Sequence, residues 1–193
     1  MGQEYILEKT FDKTDFKEKH LPKGEYELCT FINCDFSNSD LANIVFIDCI
    51  FENCNLSMAG LIKTAFREIK FRNCKLLGMH FGNCNRQGMV LSFENCNLSH
   101  SSFYQTILKN TSFINIKLHE ADFTECDLSG SVFENCDLTG ATFDHTNIEK
   151  SDLRTSYNYS IDPETNRIKR AKFSFPGVVG LLDKYEIEID KID

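Results

Sequence analysis

No stretch of the chain is apolar for long enough to cross a bilayer, and no charged-then-apolar leader opens it. Both absences argue for a soluble, cytoplasmic protein. Met1-Gly2 starts like a myristoylation signal, but Ile6 stands where that signal needs Ser or Thr. Positive charge is in short supply: 21 Lys and Arg against 29 Asp and Glu leave a formal net charge of -8. That balance argues against direct binding to nucleic acid or to an anionic membrane, and it leaves room for a basic protein partner. Catalytic signatures are missing too. There is no Gly-rich phosphate loop, no nucleophile elbow and no H-E-x-x-H, so no enzyme and no cofactor are read here. At 193 residues the chain supplies one full core without requiring a second domain.

Cysteine, by contrast, is abundant. The nine are odd in number and form no C-x-x-C, which argues against a complete disulfide set and against zinc. Their spacing has another origin. Counting in fives from Phe11, the chain places Phe16, Leu21, Tyr26, Phe31, Phe36, Leu41, Phe46, Phe51, Leu56, Leu61, Phe66, Phe71, Leu76 and Phe81 in one register. The phase slips by two residues and resumes at Phe93, running through Leu98, Phe103, Leu108, Phe113, Leu118, Phe123, Leu128, Phe133, Leu138, Phe143, Ile148 and Leu153. Fifteen of the 17 Phe sit on this ladder. All nine Cys occur two residues before a register position, sharing that place with Ser39, Ala59, Thr64, Thr111, Ala121 and Ser131. The residue between is mostly polar, as in Asp35, Asn55, Asp122 and Asp137.

A period of five suits neither common element. On an α-helix it smears the ladder around the cylinder, and on a flat strand an odd step alternates faces. Each unit must instead turn the chain by a fixed angle so that every fifth side chain points inward, which makes a solenoid. After Phe93 the ladder alternates Phe and Leu, a period of ten that divides a four-unit, 20-residue coil. Phe103, Phe123 and Phe143 then form one column and Leu118 and Leu138 belong to another, with Phe113, Phe133 and Leu128 in the remaining two.

Units such as Ala121-Asp122-Phe123-Thr124-Glu125 and Cys136-Asp137-Leu138-Thr139-Gly140 resemble the A-(D/N)-L-x-x unit of pentapeptide-repeat proteins. The resemblance covers roughly residues 9 to 173 and implies an all-β fold, a right-handed quadrilateral parallel β-helix. Some seven coils at a strand spacing near 4.8 Å give a rod of about 34 Å. The expected organisation is an N-terminal capping coil over 1–28, a β-helix over 29–173 with a register slip at 86–92, and a C-terminal helix and strand over 174–193. Register fails at Asn158 and Pro163, so Tyr157 to Asn166 reads as a loop on the final coil.

Ser174 and Pro176 suit a helix start. Val178, Leu181, Leu182 and Tyr185 then fall at i, i+3, i+4 and i+7, an apolar stripe, and Ile187 and Ile189 alternate with acids as on a half-buried strand. This tail resembles that of the quinolone-resistance (Qnr-type) members, and the resemblance implies a homodimer joined through the C-terminus.

Buried Cys behaves as a small hydrophobe, and the five His face outward without a ligand cluster, so no metal is expected. The surface then carries the function. From Leu118 to Glu149 the chain has eight acids and no Lys or Arg: Glu120, Asp122, Glu125, Asp127, Glu134, Asp137, Asp144 and Glu149. They climb about 8 Å of rod, over which duplex DNA carries about five charges, both strands counted. Resemblance to Qnr-type proteins implies a DNA mimic that binds a bacterial type II topoisomerase, DNA gyrase or topoisomerase IV. The alternative is a general protein-binding scaffold. Lys63, Arg67, Lys70, Arg72 and Lys75 form a basic band that a uniform DNA mimic would not carry.

Overall fold

The computed structural model describes residues 4–190, and its chain winds as a parallel β-solenoid of about seven turns. Each coil rests on the next with a register of 20 residues. Phe11 faces Phe31, Phe31 faces Phe51, and Phe113 faces Phe133 across parallel pairs. The four sides are named here for the ladder residues Tyr26, Phe31, Phe36 and Leu41. On the Tyr26 side, β1 (Glu4–Leu7), β3 (Gly24–Glu27), β5 (Val45–Ile47) and β7 (Ala65–Arg67) form a four-stranded sheet. On the Phe31 side, β2 (Thr10–Asp12), β4 (Thr30–Ile32), β6 (Ile50–Glu52), β8 (Ile69–Arg72), β9 (Leu91–Glu94), β10 (Ser112–Ile114) and β11 (Val132–Glu134) form a seven-stranded one. The other two sides are held by single bridges such as Asp35 to Asn55 and Ser102 to Asp122.

Every position of the five-residue unit has a physical cause. The ladder residue points inward: Phe31, Phe36, Phe46, Phe103 and Phe113 have no exposed surface, and like rings stack down each column. Phe103 lies 5.0 Å from Phe123, and Phe123 lies 5.1 Å from Phe143. The polar residue before it accepts the N–H two residues on, as Asp35 does from Ser37 at 2.8 Å and Asp122 from Thr124 at 2.9 Å, which tightens the corner. Two residues after the ladder position the backbone turns left-handed. Asn33, Asn53, Asn73, Asn95, Asn115 and Asn135 all hold this place at one corner, with φ between 52° and 56°. Asn tolerates that region better than other residues with a Cβ.

The slip is a bulge confined to the Tyr26 side. Ala65 still pairs with Asn85, but Ile69 pairs with Leu91 and Phe71 with Phe93, a register of 22. Arg86, Gln87 and Gly88 are exposed while Met89 turns inward. The four-stranded sheet stops above this bulge and the seven-stranded one runs past it. The aromatic column also changes sides here. It ends on the Tyr26 side at Phe66 and begins on the Leu41 side at Phe81, with centroids 6.5 Å apart. The coils on either side of the bulge thereby each keep two large rings, Phe66 with Phe71 and Phe93 with Phe103.

At the N-terminal end β1 and β2 pair in register with β3 and β4, and Leu21 and Tyr26 are buried. Two expectations are corrected at the C-terminal end. Residues 157–166 are two sides of a regular coil and not an added loop, since Asn147 pairs with Arg167 and Asp152 with Lys172 at the usual 20. Tyr159 and Ile161 turn inward in place of the ladder positions Asn158 and Pro163. Beyond it, Pro176–Leu181 and Asp183–Tyr185 are 3-10 helices; the N-cap of the first is Phe175, and Ser174 before it accepts the Gly177 N–H at 3.1 Å. No strand forms over 186–190, and all five residues are exposed. The alternation there has no sheet edge to join within one chain.

Candidate functional site

The eight acids of the proposed band are brought to one height on the rod but not to one side. The 20-residue register puts Asp127 and Glu149 on the Tyr26 side and Glu134 on the Phe31 side. Glu120 and Asp137 fall on the Phe36 side, and Asp122, Glu125 and Asp144 on the Leu41 side. Most are engaged by the protein itself. Asp127 meets Lys109 at 3.2 Å, Glu149 meets Arg167 at 2.9 Å, and Asp137 meets His119 at 2.7 Å. Glu120 lies 3.3 Å from His100 and Asp144 lies 2.8 Å from His145. Glu125 accepts from Gln105 at 2.7 Å and from Tyr104 at 3.4 Å. Only Glu134 stands without an ion-pair or hydrogen-bond partner among the described residues. Asp122, Asp127 and Asp137 also serve as corner acceptors. Burial pushes the Asp137 carboxyl up, but hydrogen bonds from Thr139, Asn158 and His119 outweigh it and hold the group well below the usual carboxylate range.

The basic band is spread in the same way, with Lys63, Arg67, Lys70, Arg72 and Lys75 distributed over all four sides. Neither charge cluster in the sequence is a flat face in space, because at 20 residues per coil the 30 from Glu120 to Glu149 wrap the rod one and a half times and the 13 from Lys63 to Lys75 turn more than half-way around it.

All nine cysteines are free and buried. They do more than fill space. Each of seven thiols reaches the carbonyl of a ladder residue one coil back, as Cys49 does to Tyr26 at 3.2 Å and Cys136 to Phe113 at 3.3 Å. Thr64, Ser131, Thr146 and Ser151 make the same bond with hydroxyls at 2.7 to 2.8 Å. Asn166 substitutes for them in the last coil, donating to the Phe143 carbonyl at 3.0 Å. Burial pushes the Cys49, Cys84 and Cys126 thiols up to about 12 and Cys136 up to about 11. Among the described residues no group of three His, Cys, Asp or Glu is placed to hold a metal ion.

The tail brings its apolar residues together on the outside. Val178, Tyr185, Ile187 and Ile189 are exposed, while Leu181 and Leu182 are half-buried, Leu181 against the core. Phe175, which is 95% exposed, and Val179 join this surface; helical spacing missed both, because a 3-10 turn presents a different stripe from an α-helix. Gly177 and Gly180 let the tail lie directly on Tyr159, where a Cβ at either position would collide. Lys184 clamps it, bridging Asp162 at 2.8 Å and Glu164 at 2.6 Å.

No helix among the described residues is long and apolar enough to cross a membrane. No curated protein sequence matches this chain. Two solved structures of trypsin-treated variants of QnrB1, a plasmid-mediated fluoroquinolone resistance protein, superpose over nearly its whole length. One covers 97% of this chain and 98% of its own with a TM-score of 0.64 at 21% identity. The other covers 98% and 100% with a TM-score of 0.63 at 20% identity. At that identity the likeness is one of fold. The sequence model of the pentapeptide repeat region matches residues 25–91 and 89–158, the greater part of the chain. With the five-residue ladder, the 20-residue register and this match, the chain belongs to the pentapeptide-repeat family.

Proposed function

We propose that the chain is a non-enzymatic interaction protein, a rod that pairs with a second copy through its tail and engages a bacterial type II topoisomerase. DNA gyrase or topoisomerase IV would meet the rod where duplex DNA otherwise lies, and quinolone susceptibility would change as a result. The observation that carries this reading is the end-to-end correspondence with a fluoroquinolone resistance protein, C-terminal tail included. The exposed apolar surface at Phe175, Val178, Val179 and Tyr185 supports the pairing. The convex sides of the rod, with their cysteines buried, support binding rather than catalysis.

A second reading, a scaffold for a different protein, is favoured by the acids themselves. Spread over four sides and mostly paired, they present less free negative charge on any one side than their count suggests. Gyrase supercoiling with added protein, in the presence and absence of a quinolone, separates the two. The topoisomerase reading requires a change in supercoiling or in quinolone inhibition at micromolar protein. An unchanged assay removes it and leaves the scaffold.

A further inference from the structure

One groove on the rod has the opposite character to the acidic surface. It runs along the Phe36 side at mid-height, encloses about 530 Å³, and is lined in part by Asn73, Lys75, Asn95, Asn97, Asn115 and Lys117. Lys75, Asn97 and Lys117 lie on successive rungs of one column, since Lys75 bridges Asn97 and Asn97 bridges Lys117.

The Asn95 and Asn97 amides are turned so that their donors are free. The Asn97 side-chain carbonyl accepts the Ser99 N–H at 3.1 Å and its hydroxyl at 2.7 Å. The Asn95 carbonyl accepts the Asn115 amide at 2.9 Å, and the Asn115 carbonyl accepts that of Asn135 at 2.9 Å. Among the described residues the Nδ2 groups of Asn95 and Asn97 and the ammonium groups of Lys75 and Lys117 have no protein partner. Asn73 has none for either end of its amide. The groove therefore offers N–H donors and two positive charges, with the Asn95, Asn97 and Asn115 carbonyls already engaged, which is the chemistry of an anion site. Two neighbouring acids are engaged elsewhere. Glu94, around the corner, meets Arg72 at 3.5 Å, and Asp137, the next rung below Lys117, is held by His119 and Asn158.

We propose that this groove binds an acidic peptide segment of a partner protein, with carboxylates three residues apart paired to Lys75 and Lys117. The spacing carries the choice. Two rungs at about 4.8 Å separate the lysines by about 9.6 Å along the rod. An extended left-handed peptide advances about 3.1 Å per residue and returns to the same face every third residue, a repeat of about 9.3 Å. A β-strand returns every second residue, at about 6.8 Å, and misses the second lysine. Length selects a peptide over a longer polyanion. The same column reads Asp15, Asp35, Asn55, Lys75, Asn97, Lys117, Asp137 and Tyr157, so acids flank the lysines on both sides. A nucleic acid strand following the rod runs into carboxylates above and below, whereas a short acidic segment ends before them. This site is independent of the topoisomerase reading, which places the partner on the acids.

The test uses the full chain and two fluorescein-labelled peptides in low salt, one of repeated Glu-Pro-Pro and one alternating Glu with Ser, read by fluorescence anisotropy. The Glu-Pro-Pro peptide is expected to bind at least about tenfold more tightly than the alternating one. The double variant Lys75→Glu with Lys117→Glu loses that binding by about a hundredfold, and Lys150→Glu, on another side, leaves it unchanged. Both lysines are exposed and unpaired, so an unchanged melting temperature confirms that the double variant is folded. Absence of binding by either peptide at about millimolar concentration overturns the proposal. So does equal binding of the two, indifference to the double variant, or tighter binding of a single-stranded oligonucleotide.

Discussion

The hydroxyl of Ser131 donates to the carbonyl of Leu108, 23 residues earlier in the chain, at 2.7 Å, and accepts the N–H of Thr111 at 3.1 Å. One small side chain thus closes both halves of a corner that neither sheet covers. Ser131→Ala removes a buried donor and acceptor together and is expected to destabilise the fold by about 1–3 kcal/mol. Ser131→Cys, which reproduces the arrangement at Cys54, should lose less. Urea unfolding with an unchanged m-value measures both. Equal losses for the two variants would show that volume and not the hydrogen bond decides this position.

Phe123 is sandwiched between Phe103 and Phe143 in the Leu41 column and has no exposed surface. Phe123→Ala opens a cavity that the stacked rungs cannot collapse, because their spacing is fixed by backbone hydrogen bonds, and it should cost about 3–5 kcal/mol. Glu125, two residues on, is exposed and bonded only to surface groups, so Glu125→Ala should change stability by less than about 0.5 kcal/mol. Thermal melts of the two variants side by side check the inward register directly.

The same pair shows why some of the molecule was readable in advance and some was not. An inward Phe repeats every five residues, and hydrophobic burial imprints that period on the chain. A left-handed corner is nearly silent by comparison, since Met58, Lys63 and Glu68 occupy it as well as Asn does and the penalty for each is modest. Tyr159 and Ile161 were not foreseeable as core residues because the tail that packs on them sets where the last coil points inward. The acidic band was read as a surface because its members are close in sequence. A 20-residue coil turns closeness in sequence into dispersion around the rod. Arg167 against Glu149, 18 residues apart, and His119 against Asp137, also 18, are pairings that only the rung-to-rung register brings together.

Asp152 accepts from the Arg154 guanidinium at 2.7 to 3.2 Å, and those bonds first of all hold its carboxyl down to about 2. An unfolded aspartate titrates near 3.9. Because the folded value lies below the unfolded one, the carboxylate stabilises the fold at and above about pH 4, and that contribution is lost as pH falls through about 2. The melting temperature should drop over this window, and Asp152→Asn should flatten part of the drop. Arg154 is more than half exposed, so added salt should shrink the difference. Melts from about pH 5 to 2 at low and high salt decide it. A variant that loses as much as the parent across the window would place the acid sensitivity elsewhere.

Phe175 is the most exposed large apolar side chain described, at 95%, and Val178, Val179, Tyr185, Ile187 and Ile189 are exposed on the same tail, which the Lys184 clamp holds against the rod. Exposed apolar surface gathered on one element is what a self-complementary two-fold contact uses, with the same patch contributed by each copy. A stable contact needs about 1,000 Å² buried in total, which a patch of six such residues doubled by symmetry is large enough to supply. The full chain should therefore run as a dimer by light scattering at micromolar concentration. Phe175→Asp combined with Val179→Asp should convert it to a monomer without lowering the melting temperature of the rod, because neither side chain is buried in the single chain. Lys184→Ala should weaken the dimer while leaving the coils intact, since it frees the tail from Asp162 and Glu164 and raises the entropy lost on pairing. A monomer mass for the unaltered chain at micromolar concentration would sink the pairing and leave the tail as an intramolecular cover for the last coil.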